Sequence, residues 1–335
     1  SRVQFQQMPG LSQRTFLIFL LILSAGSIVA ASALGSVRLG PADWWNALTD
    51  PLSAGGELLW RLRLPRAAAA FVTGGLLSLA GGLMQVLLRN PLADPYVLGV
   101  SGGASVGALL ALLLGAGAFW VPCWAFSGAL FSTLLVFSLA HGRGSWDTTR
   151  LLLTGVVLAS GWGALISLLL AISPAARIQG MLFWLMGDLS YAQLPAVGGV
   201  VLVLVAAIAL RFASALNLMS GGALHAAALG VQVTGMQLFI YVSASLATAV
   251  AVTQAGNIGF IGLLAPHMLR LGGGRDYRVL IPGVMLLGAT LLMLADTLAR
   301  SVIAPRQLPV GVLTALIGIP LFLFLLSRSR NSRHG

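Results

Sequence analysis

Long apolar runs, separated by short polar loops, make up almost the whole chain. The run at 151–172 holds no charged residue, and a membrane-spanning helix needs roughly 20 apolar residues. Hydrophobic residues account for 58% of the 335 residues, and charged residues for only 8%. A soluble domain of this length could not cover so much apolar surface with polar side chains. The sequence therefore predicts an all-α polytopic membrane protein.

Ten membrane spans follow from the positions of these runs. The stretch 234–272 is counted as two spans because Gln254, Gly256 and Asn257 interrupt its apolar residues. If it were one long span, the count would be nine, and the two ends of the chain would face opposite sides of the membrane. The predicted spans are residues 15–35, 67–88, 97–115, 119–139, 151–172, 194–210, 234–255, 256–272, 279–299 and 310–327.

One transmembrane domain, 15–327, is expected between two short polar segments. The first apolar run does not end in a typical cleavage site, so it is predicted to stay in place as a span. Residues 1–14 form the N-terminal segment, and residues 328–335 form the C-terminal tail.

Two polar segments inside this domain are too long to be simple turns. The segment 173–193 has an apolar centre at 178–186, which predicts a short re-entrant or interfacial helix. The segment 211–233 contains Ser220-Gly221-Gly222 followed by helix-forming residues up to Gly230, which predicts a second short helix. Such a helix outside the bilayer is a natural docking surface for a soluble subunit.

Glycine spacing indicates close helix packing in the third span. Gly99, Gly103 and Gly107 recur every four residues, so they share one face of a helix. Small residues at this spacing let two backbones approach closely in lipid.

All basic residues are arginines, and their distribution orients the chain. With ten spans, 12 arginines lie on the side of the chain ends and seven on the other, so the positive-inside rule places both ends in the cytoplasm. Arg61, Arg63 and Arg66 are the main exception, on the outer side. They form either a contact with lipid headgroups or a docking patch for acidic residues of a soluble partner. Arginines in short loops are not the pattern of a nucleic-acid-binding face.

Residue types that carry enzyme chemistry are scarce. The chain has no lysine, so it cannot form a P-loop, and any ATP must be hydrolysed by another chain. The four histidines stand apart from possible co-ligands, and Cys123 is the sole cysteine, so no catalytic site, metal centre, resident cofactor or internal disulfide is predicted.

A carrier driven by an ion gradient needs ionisable residues within the bilayer. Asp296 is the main candidate, and Arg300 at i+4 could neutralise it.

Two groups of motifs, one in each half of the chain, carry a resemblance to a known family. The motifs of the first half are Arg63-Leu-Pro-Arg66, Gly81-Gly82-Leu-Met84-Gln85, Asn90-Pro-Leu-Ala-Asp94-Pro95 and Leu98-Gly99-Val-Ser101-Gly102-Gly103-Ala104. Those of the second half are Gly259-Phe260-Ile261-Gly262-Leu263, Pro266-His267, Arg270, Leu294-Ala295-Asp296, Arg300 and Leu308-Pro309-Val310-Gly311-Val312. With these motifs the chain resembles the FecCD family, whose members are permease subunits of type II ABC importers. The family takes up ferric siderophores, haem and vitamin B12, and the resemblance covers about residues 40–327.

The resemblance implies a bacterial inner-membrane permease with ten transmembrane helices per subunit, acting as a homodimer. Two ATPase subunits, which hold ATP and magnesium, would bind on the cytoplasmic side, and a periplasmic substrate-binding protein would dock on the other. It implies three sets of site residues. The docking arginines are Arg63, Arg66 and Arg300; the cytoplasmic gate is Asn90, Thr148 and Thr149; and the ATPase-coupling residues are Ser220, Gly221, Gly222, Ala223, Leu224, His225, Leu229 and Gly230.

The expected substrate is a bulky metal chelate that passes along the two-fold axis, past the fifth span and the segment 178–186. A haem or ferric siderophore is the first expectation, and vitamin B12 is the alternative within the family. From another class, an ion-coupled secondary transporter is the alternative. Two positions depart from the family pattern: Ala223 replaces the acidic residue usual after the glycine of the coupling segment, and Gln307 stands where glutamate is frequent.

Overall fold

The computed structural model describes residues 13–35, 41–140, 147–192, 195–274, 276–304 and 306–331. Within these residues the chain forms helices and no strand, so the all-α prediction is confirmed. The polar segment before residue 13 and the tail after residue 331 lie outside the described residues, and the boundaries predicted there stay predictions.

Most helices lie where apolar runs predicted them. In chain order the α-helices are α1 Gln13–Ala33, α2 Pro41–Thr49, α3 Ala54–Glu57, α4 Leu64–Leu87, α5 Val100–Leu113, α6 Trp120–Ala140, α7 Thr148–Ile172, α8 Ala175–Met186, α9 Pro195–Arg211, α10 Ala213–Ser220, α11 Ala223–Ala228, α12 Val233–Ala255, α13 Ile261–Leu271, α14 Tyr277–Ser301 and α15 Val310–Asn331. A π-helix, Leu58–Arg63, leads directly into α4. Two 3-10 helices, Pro95–Leu98 and Leu189–Tyr191, precede α5 and α9 respectively.

The number of spans is the point at which the structure and the sequence prediction differ. Six helical segments of the described chain are long and apolar enough to cross a membrane, namely α1, Ala54–Leu87, α6, α7, α12 and α14. The pair α9–α10, bent by 69°, raises the number to seven if it is one span. Three further apolar segments, α5, α13 and Val310–Leu325 of α15, are shorter, with 10 to 17 residues each. The protein is therefore a polytopic membrane protein, and the number ten stays a prediction.

The predicted break between the seventh and eighth spans is confirmed. Helix α12 ends at Ala255, and Gly256 follows with φ 68° and ψ −156°, a conformation that favours glycine. The hydroxyl of Tyr96 then holds the connecting loop, because it donates to the carbonyl of Ile258 at 3.0 Å and accepts from the amide of Ile258 at 3.1 Å. Helix α13 begins only after this loop, at Ile261.

Helix α4 is the centre of the bundle, because 89% of the most apolar 18-residue stretch of its span, Ala54–Leu87, is buried. It packs on α12, α13 and α14, and glycines allow its backbone to approach those of α13 and α14 closely. A Cβ atom on Gly81 would overlap the carbonyl of Gly262 in α13, and one on Gly74 would overlap the carbonyl of Gly288 in α14. Backbones this close are typical of helix packing in lipid. The hydrophobic effect does not drive helices together there, and small residues allow the close van der Waals packing that does.

The glycine prediction for the third span holds for two of its three residues. A Cβ atom on Gly103 would overlap the carbonyl of Gly128, and one on Gly107 would overlap the carbonyl of Trp124, both in α6. Gly99 instead precedes α5 with φ 70°, where it forms the helix N-terminus. Gly99 still contacts α6, because its carbonyl accepts a hydrogen bond from the hydroxyl of Ser132 at 2.8 Å.

The short polar segments contain more helix than predicted. The expected interfacial helix at 178–186 is part of α8, which begins at Ala175. The segment 211–233 holds two helices, α10 and α11, instead of one. Helix α10 escaped prediction because its apolar residues follow Arg211 with neither proline nor glycine at the bend.

Candidate functional site

Polar side chains gather at two opposite ends of the bundle. One end holds Asp296 with the predicted docking arginines, and we call it the Asp296 end. The other holds α11, Asn90 and the first turn of α14, and we call it the α11 end. Helices α4 and α14 run antiparallel between them: Arg66 contacts Asp296 at one end, and at the other Arg270 of α13 links Gln85 of α4 to Tyr277 of α14.

Asp296 is a buried carboxylate that binds two guanidinium groups. Its side chain lies on α14 and is 2% exposed. From α4, Arg66 donates through Nε to both carboxylate oxygens at 3.1 Å and through Nη2 to Oδ1 at 2.8 Å. From the next turn of α14, Nε of Arg300 lies 3.0 Å from Oδ2. The prediction that Arg300 neutralises Asp296 is confirmed, and Arg66 adds a second, bidentate partner.

Two of the predicted docking arginines also cap α1. Nη1 of Arg63 donates to the carbonyls of Ser32 at 2.7 Å and Ala33 at 2.9 Å, and Nη2 of Arg300 donates to the carbonyl of Ala31 at 3.2 Å. The last carbonyls of a helix have no partner within the helix, and they attract cations. Both arginine side chains are almost fully buried. These two arginines therefore hold the end of α1 against α4 and α14, which is a structural role.

Arg66 is the most accessible of the three predicted docking arginines. Its Nη1 donates to Oε1 of Gln307 at 2.9 Å, at the exposed margin of the cluster. Its Nη2 lies 3.7 Å from Oδ1 of Asp188, which follows α8. Arg61, to which the sequence gave no specific role, is exposed and pairs with Glu57 one turn earlier at 3.2 Å.

The three predicted docking arginines thus lie at one end of the bundle, but sequence reasoning did not find all of their partners. Gln307 was singled out only as a departure from the family pattern, and Asp188 carried no signal at all. Both lie far along the chain from Arg66, so no local spacing could have paired them with it.

At the α11 end, Asn217 joins α10 to α14. Its Nδ2 donates to Oδ1 of Asp276 at 2.8 Å, and its own Oδ1 accepts from the amide of Tyr277 at 2.9 Å. Asp276 caps α14 by accepting from the amide of Arg278 at 3.0 Å. The hydrogen bond from Asn217, followed by that from Arg278, holds the pKa of Asp276 below its usual value. Asn217 was not singled out in the sequence.

Helix α11, in the predicted coupling segment, presents apolar side chains to solvent. Ala226 is buried, whereas Leu224 is 89% exposed and Leu229 is also exposed. Gly222 precedes the helix with φ 121°, and Gly230 follows it with φ 84°, so glycine is favoured at both ends. The helix ends at Ala228, two residues before the predicted end at Gly230. An exposed leucine on a short helix tied to the bundle is suited to insert into a partner.

The predicted gate residues lie on two neighbouring elements. Asn90 follows α4, and its side chain accepts from the amide of Leu92 at 2.9 Å. Thr148 and Thr149 form the first turn of α7, which is capped by Asp147 through the amide of Thr149 at 2.9 Å. Further along, a Cβ on Gly155 of α7 would overlap the carbonyl of Val97, so α7 packs against the segment that follows Asn90.

A polar chain of contacts joins this segment to α14. Arg270 of α13 donates to Oε1 of Gln85 and, at 3.4 Å, to the hydroxyl of Tyr277. Gln85 in turn donates to the carbonyl of Ala93 at 3.4 Å. Contacts thus run from α10, through the start of α14, to the loop that contains Asn90.

Helix α7 has the barest surface of the six long spans. Only 11% of its most apolar window is buried, compared with 89% for the span of α4. Leu153, Val157 and Leu168 are exposed on one face, at helical spacing. A Cβ atom on Gly161, on the same face, would meet no atom within 4 Å.

A profile of the FecCD transport family matches residues 17–328. The chain belongs to the FecCD transport family. The vitamin B12 import system permease proteins BtuC of Salmonella typhimurium and Salmonella typhi are each 39% identical to it over 315 residues. Each alignment covers 92% of this chain and 95% of the relative.

Solved structures agree with this fold. A structure described as an inward-facing metal-chelate type ABC transporter superposes with a TM-score of 0.81 and 31% identity, covering 94% of this chain and 99% of that one. PsaBC from Streptococcus pneumoniae in complex with Fab superposes with a TM-score of 0.56 at 18% identity, covering 80% and 92%, and this likeness concerns the fold alone. Among the described residues, no group of three or more histidine, cysteine or acidic side chains could hold a metal ion.

Proposed function

We propose that this FecCD family member is the permease subunit of an ATP-driven importer, and that its substrate is vitamin B12. The observation that carries the proposal is 39% identity to the B12 permeases along nearly the full length of both chains. These relatives favour the B12 alternative over the haem or siderophore that the sequence suggested first. The 31% identical metal-chelate transporter supports the same chemical class, because B12 is itself a bulky cobalt chelate.

In this proposal the permease works as a homodimer with a path on the two-fold axis. The exposed face of α7, with Val157 and Gly161, supports contact with a second copy or with the path between copies. We count ten spans by adding α5, α13 and the apolar part of α15, Val310–Leu325, to the six long spans and the bent pair α9–α10. Both chain ends then lie in the cytoplasm of the bacterial inner membrane, as the arginine distribution favours.

The α11 end is the proposed side of the ATPase, which would bind ATP and magnesium. Leu224 on α11 and Leu229 directly after it would contact one ATPase subunit, and no acidic residue is needed at Ala223 for such an apolar contact. Asn90, Thr148 and Thr149 remain the proposed gate. The contacts from Asn217 through Arg270 to Gln85 offer a physical route from α11 to the gate loop.

The Asp296 end is the proposed docking surface for a soluble binding protein. Arg66 and Arg61 offer accessible guanidinium groups, and carboxylates of a partner would match them. Arg63 and Arg300 would contribute positive charge to the same surface while they cap α1. We therefore keep all three predicted docking arginines in the proposal, with Arg66 in the leading role.

Uptake into proteoliposomes tests the function. The permease is reconstituted with its co-purifying ATPase, and radiolabelled cyanocobalamin is added with the soluble binding protein. We expect uptake that requires ATP and is unaffected by an uncoupler. Unlabelled cobalamin should compete, whereas haem and a ferric siderophore should not.

Each alternative predicts a different result in the same assay. ATP-dependent uptake of labelled haem or a labelled ferric siderophore, without uptake of cyanocobalamin, would assign the permease to an iron chelate. Uptake that an uncoupler abolishes and ATP depletion does not would assign it to the ion-coupled class and overturn the proposal.

A further inference from the structure

The guanidinium of Arg66 has two edges, and they are bound very differently. The edge formed by Nε and Nη2 faces Asp296, whose side chain is 2% exposed, with contacts of 2.8 to 3.1 Å. A bidentate pair with a buried carboxylate is strong and costly to break. Asp296 therefore fixes the position of this guanidinium on the surface.

The second edge, formed by Nη1 and Nη2, lies at the exposed margin. Nη1 donates to Oε1 of Gln307 at 2.9 Å, and Gln307 is exposed. Asp188 lies 3.7 Å from Nη2, which is too far for a good hydrogen bond. A neutral acceptor in contact with water thus occupies the edge that an incoming carboxylate would need.

We propose that Gln307 sets the affinity of this docking surface, because it is a neutral and displaceable acceptor on the outer edge of Arg66. A partner carboxylate brings a formal negative charge and two acceptor oxygens to the guanidinium, whereas the amide of Gln307 offers one oxygen without a formal charge, so the carboxylate binds this edge more strongly. It therefore displaces Oε1 of Gln307 while Asp296 keeps Arg66 in place. This inference rests on the proposed function, since it concerns the same docking surface.

An acidic residue at position 307 would change this balance. Gln307→Glu is nearly isosteric and places a carboxylate of the chain itself on the outer edge of Arg66. The partner must then break an internal ion pair before it can bind. Gln307→Ala, in contrast, leaves the outer edge open to water and to the partner.

The experiment measures binding of the soluble binding protein to the permease–ATPase complex in nanodiscs. The probe is the binding protein from the same organism that stimulates uptake by the wild-type complex. For Gln307→Glu we expect Kd to rise about tenfold at low salt, the scale of losing a charge-assisted contact at an interface. For Gln307→Ala we expect Kd to stay within about threefold of wild type or to fall.

Two controls separate competition from damage. The melting temperature of Gln307→Glu should equal or exceed that of the wild type, because the substitution adds an ion pair. In an Arg66→Gln background, Gln307→Glu should have no further effect on Kd. Equal losses for the glutamate and alanine variants, or a loss that persists without Arg66, would overturn the inference.

The same experiment separates this inference from the proposed function. If the wild type transports cobalamin and binds its partner, and Gln307→Glu leaves Kd unchanged, the inference alone is wrong. If the wild-type complex binds no soluble partner at any salt concentration, docking at this surface is wrong, and the inference falls with it.

Discussion

At the scale of single residues, the carboxylate of Asp296 joins three helices. It lies on α14, binds Arg66 of α4 directly, and holds Arg300, which also donates to the end of α1. In surroundings of low polarity, a guanidinium that loses its carboxylate keeps its charge and loses its compensation. Asp296 is thus a structural requirement of this end of the bundle before it is part of any docking surface.

Replacing Asp296 should therefore destabilise the protein strongly. For Asp296→Ala we expect a loss of about 3–5 kcal/mol, the usual result of removing one partner from a buried ion pair. The matched control is Glu57→Gln, which removes the exposed partner of Arg61 and should cost less than about 1 kcal/mol. Denaturant unfolding in detergent micelles measures both changes. Equal losses in the two variants would show that the Asp296 cluster contributes no special stability.

At the scale of helices, α10 and α11 form a platform that is hydrogen-bonded to the rest of the bundle at the α11 end. Helix α9 bends by 69° into α10, and Asn217 of α10 is hydrogen-bonded to the first turn of α14. Helix α11 follows directly and exposes Leu224. A side chain on a platform fixed in this way loses little further freedom when a partner binds, which favours affinity.

We expect Leu224→Asp to release the ATPase from the permease. An apolar side chain that is 89% exposed contributes little to folding, whereas a buried interface position can contribute about 2 kcal/mol or more to binding. Leu52→Asp is the matched control, because Leu52 is also an exposed leucine, at 78%, and it lies in the turn between α2 and α3, not on α11. Co-purification of the ATPase and basal ATP hydrolysis provide the measurement. Retention of the ATPase by Leu224→Asp would contradict the assignment of α11 as the coupling helix.

Sequence reasoning at the scale of helices succeeded where the signal is local and failed where it is not. Hydropathy placed α6 and α7 within a few residues, and i+4 spacing paired Asp296 with Arg300, because both depend on neighbouring residues. It missed α10, whose bend depends on packing against α14. It could not pair Arg66 with Gln307, which is 241 residues away. Contacts of that kind depend on tertiary structure.

At the scale of the whole molecule, the two sides of the bundle are covered to very different extents. Helix α14 is buried between α1 and α4, and 72% of its most apolar window is inside the protein. Within the described residues, helix α7 packs mainly on α5, α6 and the Pro95–Leu98 segment, and its outer face is left bare. In a permease that works as a dimer, this bare face is the part of the described chain best placed to meet a second copy.

Cysteine cross-linking tests this dimer arrangement. Val157→Cys, made in a Cys123→Ser background to remove the exposed native thiol, should form a disulfide-linked dimer in membranes under mild oxidation. Ile18→Cys is the control, because Ile18 is exposed on α1, which packs on α14 and α4 and not on α7. Two thiols join only when their Cα atoms come within about 7 Å, so the cross-link reports direct proximity of the two α7 helices. Diluting the protein with lipid should leave the Val157→Cys product unchanged and remove any collisional product of Ile18→Cys. Cross-linking of Ile18→Cys alone would place the dimer contact on α1 and overturn the role proposed for α7.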